Sequence, residues 1–330
     1  MPRKVDTIFT NAHVLTMNKD MEQFEKGAVA VDGDAIVAVG PKKEIKKEYS
    51  AEKLVDCDGK VLMPGLVNAH THVPMTLLRG LADDLRLDVW LLGYMMPVER
   101  EFVSPEFVQL GTKIACAEFI RTGITSFADM YYFEEDVAKA TAEAGLRAWV
   151  SETVLKFPTP DATSWEDALE YTRGFMERWK DHELIVPGIA PHAPYTSTEE
   201  ILRACAELAQ EFDVPLHIHI AETAQEVENM RKELDMPVVP YVKKMDVFKA
   251  KTTAAHCVHI DTGEIHTLLH NGVGVAHNPS SNMKLSSGAA PVAKMRELGL
   301  KVGIGTDGPA SNNDLDMFEA AAVSYAMAGG

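Results

Sequence analysis

The sequence predicts an α/β protein: a TIM-type (β/α)8 barrel preceded by strands that begin a small β-sandwich. Three observations predict it. From Pro64 onward, short apolar runs of β character alternate with helical periods, the pattern of a parallel sheet with helical crossovers. Residues 1–60 instead carry β-branched runs separated by Asp-Gly turns. Histidines and aspartates recur where the later runs end, and the C-terminal ends of barrel strands are where such folds build their sites. At 330 residues the chain has room for one barrel and a smaller unit, so the expected domains are 1–60 and 61–330.

The elements follow in order. Val5–Met17 reads as a strand. Ala28–Val31 and Ala35–Val39 flank Asp32-Gly33-Asp34, a hairpin signal. Lys53–Asp56 turns at Asp58-Gly59 into Val61-Leu62-Met63. Pro105–Arg121 has helical period and Gly123–Asp129 follows as a strand. Glu134–Ala144 is a helix closed by Gly145, a good residue for a left-handed stop. Arg147–Val150, the helix Trp165–Lys180 and the strand Leu184–Ala190 come next. Thr198–Phe212 is a helix capped by Ser197 or Thr198. Pro215–Ile220, Thr252–Ala255, Val273–Ala276 and Lys301–Gly305 complete the strands, and Asp316–Glu319 opens a last helix.

Composition narrows the class. Hydrophobic residues make up 46% and charged residues 25%, ordinary values for a globular enzyme. The formal net charge of −17 disfavours a nucleic-acid partner, because phosphate affinity comes from clustered Lys and Arg. No run of about 18 apolar residues occurs, so no membrane span is expected. The start Met1-Pro2-Arg3-Lys4-Val5-Asp6 has no apolar core after its charges, unlike a secretory signal. Cys57, Cys116, Cys205 and Cys257 are scattered without a Cys-x-x-Cys pair and suit a reducing cytoplasm.

The chemistry begins at Pro64-Gly65-Leu66-Val67-Asn68-Ala69-His70-Thr71-His72. Residues i and i+2 of a strand share a side, so His70 and His72 aim two imidazoles at one point, as a divalent metal requires. In Leu216-His217-Ile218-His219-Ile220-Ala221-Glu222, His217 and His219 share a face and Glu222 stands where the strand breaks. A carboxylate there suits a general base within reach of water. His256 ends Thr253-Ala254-Ala255-His256, with His259 as runner-up, and Asp307 ends Val302–Thr306 between Gly305 and Gly308. Asp129, His192 and His277 also fall at strand ends. Three histidines and an aspartate on separate strand ends describe a metal site with an open position.

These segments, with Ala-His-Cys-Val-His (255–259), His-Asn-Pro-Ser-Ser-Asn (277–282) and Gly-Thr-Asp-Gly (305–308), resemble the amidohydrolase superfamily. The resemblance lies in the branch of aminohydrolases that act on purine, pyrimidine and triazine rings. Within it the chain is most similar to the 5′-methylthioadenosine/S-adenosylhomocysteine deaminases. The resemblance implies His70, His72, His219 and Asp307 as ligands of one divalent metal. Zn2+ is the first choice, and the same donors accept Fe2+, Mn2+ or Co2+. It implies Glu222 as the acid/base, His256 as the residue orienting the attacking hydroxide, and Asp307 as a group that passes a proton to the departing ammonia. Glu99, in Met95-Met96-Pro97-Val98-Glu99-Arg100, matches the glutamate that holds the ribose hydroxyls, and His192, in Ala190-Pro191-His192-Ala193-Pro194, matches a substrate-binding histidine.

The expected activity is hydrolysis of a C–N bond in a cyclic amidine, converting an adenine nucleoside to its inosine analogue and ammonia. Relatives that grip a homocysteine carboxylate use arginines after the third or fourth strand. Ser151–Pro158 contains none, with only Arg147 and Lys156 close by, so 5′-methylthioadenosine is favoured over S-adenosylhomocysteine. Deamination or dechlorination of guanine, cytosine or an s-triazine is the alternative chemistry. A non-catalytic scaffold relative is the alternative of another class, and it predicts missing ligands that this sequence retains. The expected partners are a small nucleoside and a second copy of the chain, in the cytoplasm. Family members usually continue past the final barrel helix to finish the sandwich, so the resemblance implies a C-terminal part that is missing from this sequence.

Overall fold

The computed structural model describes residues 1–327, which form two compact units, one of residues 1–65 and one from Leu66 onward. The first is a single sheet of five strands: β1 (Arg3–Leu15), β2 (Gln23–Asp32), β3 (Ala35–Pro41), β4 (Tyr49–Asp56) and β5 (Val61–Leu62). The order is β3-β2-β1-β4, with β5 also paired to β1, so this unit runs on to Gly65. Gly33 takes φ +60° in the tight turn joining β2 to β3, as its Asp-Gly signal predicts. A helix at Lys42–Glu48 has no counterpart in the sequence reading. Its only buried residue is Ile45, which packs with Val5, Ile8, Ala28 and Ala30. One apolar side chain among six charged ones leaves no period to read.

The second unit carries eight parallel strands in sequential order: β6 (Leu66–Thr71), β7 (Ile124–Tyr131), β8 (Arg147–Val154), β9 (Ile185–Pro191), β10 (Pro215–Ile220), β11 (Lys251–His256), β12 (Gly274–His277) and β13 (Val302–Ile304). This is the expected barrel. Helices Pro105–Thr122, Glu134–Ala144, Trp165–Trp179 and Glu199–Glu211 make crossovers close to their sequence-read bounds. Gly145 is left-handed at φ +76°, and Thr198, not Ser197, caps the fourth of these helices by accepting from the Ile201 N–H. Two apolar clusters fill the space between strands and helices, one around Ile201, Leu202, Leu216 and Ile218, the other around Phe119, Phe127 and Phe175.

The seam between β6 and β13 has its own chemistry. The Asn68 side chain spans it: Nδ2 donates to Thr306 Oγ1 at 2.7 Å, and Oδ1 accepts from Thr306 N at 3.0 Å. The Asp307 N–H then donates to the His70 carbonyl at 2.9 Å. A side-chain amide therefore stands in for a ladder rung at the seam of the barrel. The approach is close enough to dictate glycine. A Cβ on Gly305 would lie 2.4 Å from Asn278 Oδ1 and 2.9 Å from both His70 N and His70 O. The backbone offers no room to relax, so Gly305→Ala should lower stability by about 1–3 kcal/mol, the usual cost of overpacking. Urea denaturation monitored by circular dichroism checks this, and an unchanged midpoint would show that the seam can open without loss.

Candidate active site

Strand ends deliver the site residues to one rim. His70 lies in β6 and His72 just after it; His217 and His219 alternate into the barrel from β10; His256 ends β11; Asp307 follows β13. The backbone turns sharply at several of these points. Ala221, His256, Cys257 and Asp307 all sit at positive φ, between 48° and 72°, which L-residues with side chains adopt rarely and at a cost of about 1–3 kcal/mol each.

The nitrogens and oxygens converge. Asp307 Oδ1 lies 3.2 Å from His70 Nε2 and 3.1 Å from His72 Nε2. Ligand atoms of His70, His72 and His219 lie within 4.8 Å of one another, as do those of His70, His256 and Asp307. Each ring is oriented from behind. His72 Nδ1 is bonded to the Met130 carbonyl, and His219 Nδ1 donates to the His192 carbonyl at 2.8 Å. His70 Nδ1 meets His217 Nε2 at 3.0 Å, and His217 stacks on Trp149 with ring centroids 4.9 Å apart. Fixing Nδ1 in this way presents Nε2 to the common point, the arrangement found behind metal-binding histidines.

The donor set fits a divalent cation. His70 Nε2 is buried without a hydrogen-bond partner. Burial lowers the pKa of His70 to about 4 and that of His219 well below the ordinary value, leaving neutral rings as ligation requires. Burial opposes charge on His72 too, but Asp307 and Asp129 outweigh it and raise its pKa to about 9. Burial likewise pushes Asp307 up, and His70 and His72 more than reverse that, holding it well below the carboxylate range. Protein alone thus draws positive charge to this point. Three imidazoles and one carboxylate are a donor set for zinc or a similar borderline metal.

The remaining residues line one cavity at this rim. His72, His219, Glu222, His256, Asp307, Glu99 and His192 all border it. Glu222 follows the left-handed Ala221 and precedes helix Ala224–Leu234, whose cap is Thr223. Its Oε2 lies 3.7 Å from His256 Nε2. Burial raises the Glu222 pKa, with His256 opposing. Glu99 arrives from outside the barrel, on helix Met96–Phe102, and its buried carboxylate accepts from Tyr131 Oη at 2.7 Å. His192 Nδ1 meets Thr196 Oγ1 at 2.9 Å. Trp90, Leu91, Tyr132 and Leu285 supply apolar wall.

Other histidines and charges from the sequence reading have different places. His277 is buried at the end of β12, outside the cavity wall, and His259 bonds to the Ser287 carbonyl rather than joining the metal cluster. Asp129 Oδ1 accepts from Val73 N at 2.6 Å and so holds the chain just after His72. Of the two cationic residues near Ser151–Pro158 in sequence, Arg147 opens β8, at the opposite end of the barrel from the site, and Lys156 Nζ donates to the Tyr195 carbonyl at 2.8 Å. Among the described residues, no arginine or lysine borders the cavity. Several contributors were missed. Ser281 Oγ donates to Asp307 Oδ2 at 2.7 Å, Asn282 Oδ1 accepts from His256 Nδ1 at 2.8 Å, and Ser287 Oγ donates to Glu222 Oε1 at 3.2 Å. Alternation along β10 signalled His217, the quoted segment 277–282 contains Ser281 and Asn282 without giving them roles, and nothing local signalled Ser287.

Comparison with known proteins agrees with this geometry. Residues 61–329 match the amidohydrolase family. A 5-methylthioadenosine/S-adenosylhomocysteine deaminase of Nitratidesulfovibrio vulgaris is 44% identical over 318 residues, 96% of this chain and 72% of that protein. A 5′-deoxyadenosine deaminase of Methanosarcina mazei is 42% identical over 316 residues, 95% of this chain and 72% of the other. The crystal structure of an adenosine deaminase from Xanthomonas campestris with bound zinc superimposes with a TM-score of 0.96 at 37% identity, covering 99% of this chain and 75% of that one. A guanine deaminase from C. acetobutylicum shares the fold, with a TM-score of 0.89 at 21% identity over 97% of this chain and 78% of its own. On its sequence and on its fold, this chain belongs to the amidohydrolase family.

Proposed function

We propose that this chain is a metal-dependent aminohydrolase that converts an adenine nucleoside to its inosine analogue and ammonia, with 5′-methylthioadenosine the preferred substrate. The observation that carries the reading is one cavity bordered by the His/Asp cluster, by a buried carboxylate at Glu222 and by a second buried carboxylate at Glu99. The relatives named as deaminases of 5-methylthioadenosine, S-adenosylhomocysteine and 5′-deoxyadenosine support the substrate class. The barrel unit holds every residue assigned a role.

His70, His72, His219 and Asp307 are the residues that would hold the metal, and zinc, bound in the adenosine deaminase relative, is the cation we assign. Such a cation supplies Lewis acidity that lowers the pKa of water toward about 7. Glu222 takes a proton from the attacking water and delivers it to the ring nitrogen beside the reacting carbon. Its raised pKa suits a group that must accept a proton and briefly keep it. His256 gives Nδ1–H to Asn282, so its Nε2 accepts a hydrogen bond from the attacking water and orients it toward the ring. Asp307, whose Oδ2 accepts from Ser281, takes the proton of the hydroxyl that has added to the ring carbon and passes it to the departing ammonia.

Glu99 is assigned to the ribose. Tyr131 occupies one lone pair of its carboxylate and leaves the others for the vicinal hydroxyls, while His192 faces the same space. Glu222→Gln keeps shape but cannot take the proton. It should retain metal and lower kcat by at least about 10²-fold, the low end for general acid–base catalysis; steady-state rates and metal analysis decide, and wild-type turnover would remove Glu222 from the role.

Charged acceptors contribute about 1.5–3 kcal/mol per hydrogen bond, so Glu99→Ala should lower kcat/KM for 5′-methylthioadenosine far more than for free adenine. With no arginine or lysine on the cavity wall among the described residues, S-adenosylhomocysteine should be the poorer substrate, its carboxylate lacking a bidentate partner. Parallel kcat/KM measurements test both statements. A preference for S-adenosylhomocysteine would contradict the second, and turnover of guanine or a triazine alone would transfer the chain to the alternative chemistry.

A further inference from the structure

Glu222 is oriented by a ring of contacts that the mechanism above does not use. Its backbone is fixed by Glu226, whose carboxylate accepts from Ala221 N at 3.1 Å and from Glu222 N at 2.8 Å. Its carboxylate is reached by one hydroxyl, Ser287 Oγ, at 3.2 Å. Ser287 is itself located by two bonds that do not involve its side chain. Its N–H donates to the Asn282 carbonyl at 2.8 Å, and its carbonyl accepts from His259 Nε2 at 2.6 Å. The His259 N–H donates to the Ala221 carbonyl at 3.0 Å, which returns the circuit to the residue before Glu222. Gly288 follows at φ +118°, a conformation open to glycine, and a Cβ there would lie 3.1 Å from Val258 Cγ1. Ser287 is buried, so its hydroxyl stays within this circuit.

We infer that Ser287 and His259 are positioning residues for Glu222: His259 sets the height of the Ser287 loop, and the Ser287 hydroxyl selects the carboxylate orientation that faces His256 and the substrate. A general base must lie within hydrogen-bond reach of the proton it takes, and a terminal carboxylate torsion is broad unless something pins it. Ser287 does the pinning from the side away from His256, because it bonds Oε1 while Oε2 faces the imidazole. The neighbouring Ser281 and Asn282 hold Asp307 and His256, so one segment after β12 aligns three reacting groups. His259, the runner-up for a metal ligand on sequence grounds, acts here through its second ring nitrogen on a carbonyl.

This inference rests on the deaminase reading. The test compares wild type, Ser287→Ala, Ser287→Thr, Glu222→Gln and the double variant Ser287→Ala/Glu222→Gln, each loaded with zinc and assayed on 5′-methylthioadenosine. Ser287→Ala should lower kcat about tenfold with KM and zinc content unchanged, and Ser287→Thr, which keeps the hydroxyl, should recover most of it. In the Glu222→Gln background the same removal should cost nothing further, because the group being aligned no longer takes a proton. His259→Gln, which keeps an N–H for the Ser287 carbonyl, should exceed His259→Leu in kcat. Wild-type kcat in Ser287→Ala, or a tenfold loss that persists beside Glu222→Gln, overturns the positioning role while leaving the deaminase reading intact. A zinc-loaded wild type inactive on every nucleoside overturns both.

Discussion

The contact between Asp307 and the two histidines of the first strand is the constraint on which the site depends. The chain has to bring residue 307 back to residues 70 and 72, and it does so at the seam of the barrel. There Asn68, Gly305 and the Asp307 amide bring β6 and β13 to within direct contact. The carboxylate that completes the cluster is thus carried by the same turn that completes the barrel. His219 and His256 need only ordinary neighbouring strands, since β10 and β11 are paired in register with His219 beside Ala255 and Ile220 beside His256. Loss of the seam would disperse the cluster even with every ligand residue present.

Around that cluster the protein spends conformational strain and buried polarity. Four residues at the rim are left-handed, and Glu222, Glu99, Asp307 and Asp129 are all buried carboxyl groups. Each is matched by something specific: Ser287 for Glu222, Tyr131 for Glu99, Ser281 and the Gly308 N–H for Asp307, the Val73 N–H for Asp129. Burial raises the pKa of Glu99 and Glu222, whereas the imidazoles hold Asp307 down. Carboxyl groups whose environments drive them apart in this way are suited to different tasks, proton transfer for one and ligation for another.

What could be read from the sequence follows from how local the information is. Strand alternation fixes the side that His70, His217 and His219 face, and strand-end placement gathers them with Asp307, so barrel and cluster were legible together. Glu99 was not legible from residue pattern, because the chain between His72 and Pro105 forms short irregular helical turns with no sustained apolar period; only the family resemblance singled it out. Ser287 lies 65 residues from Glu222, and Asn282 lies 26 from His256, so those pairings exist only in the folded barrel. Arg147 shows the same limit. It is near the substrate segment in sequence, yet an eight-residue strand carries the chain from one barrel rim to the other between Arg147 and Val154.

The central claim is that His70, His72, His219 and Asp307 form one catalytic metal site. Its most direct test is to strip the protein with a chelator and titrate it with zinc, following bound metal per chain and turnover of 5′-methylthioadenosine in the same samples. The account predicts that the metal-free protein is inactive and that activity rises in proportion to zinc and levels off at one equivalent. Full turnover without metal, or activity that appears only with a second equivalent, would contradict it.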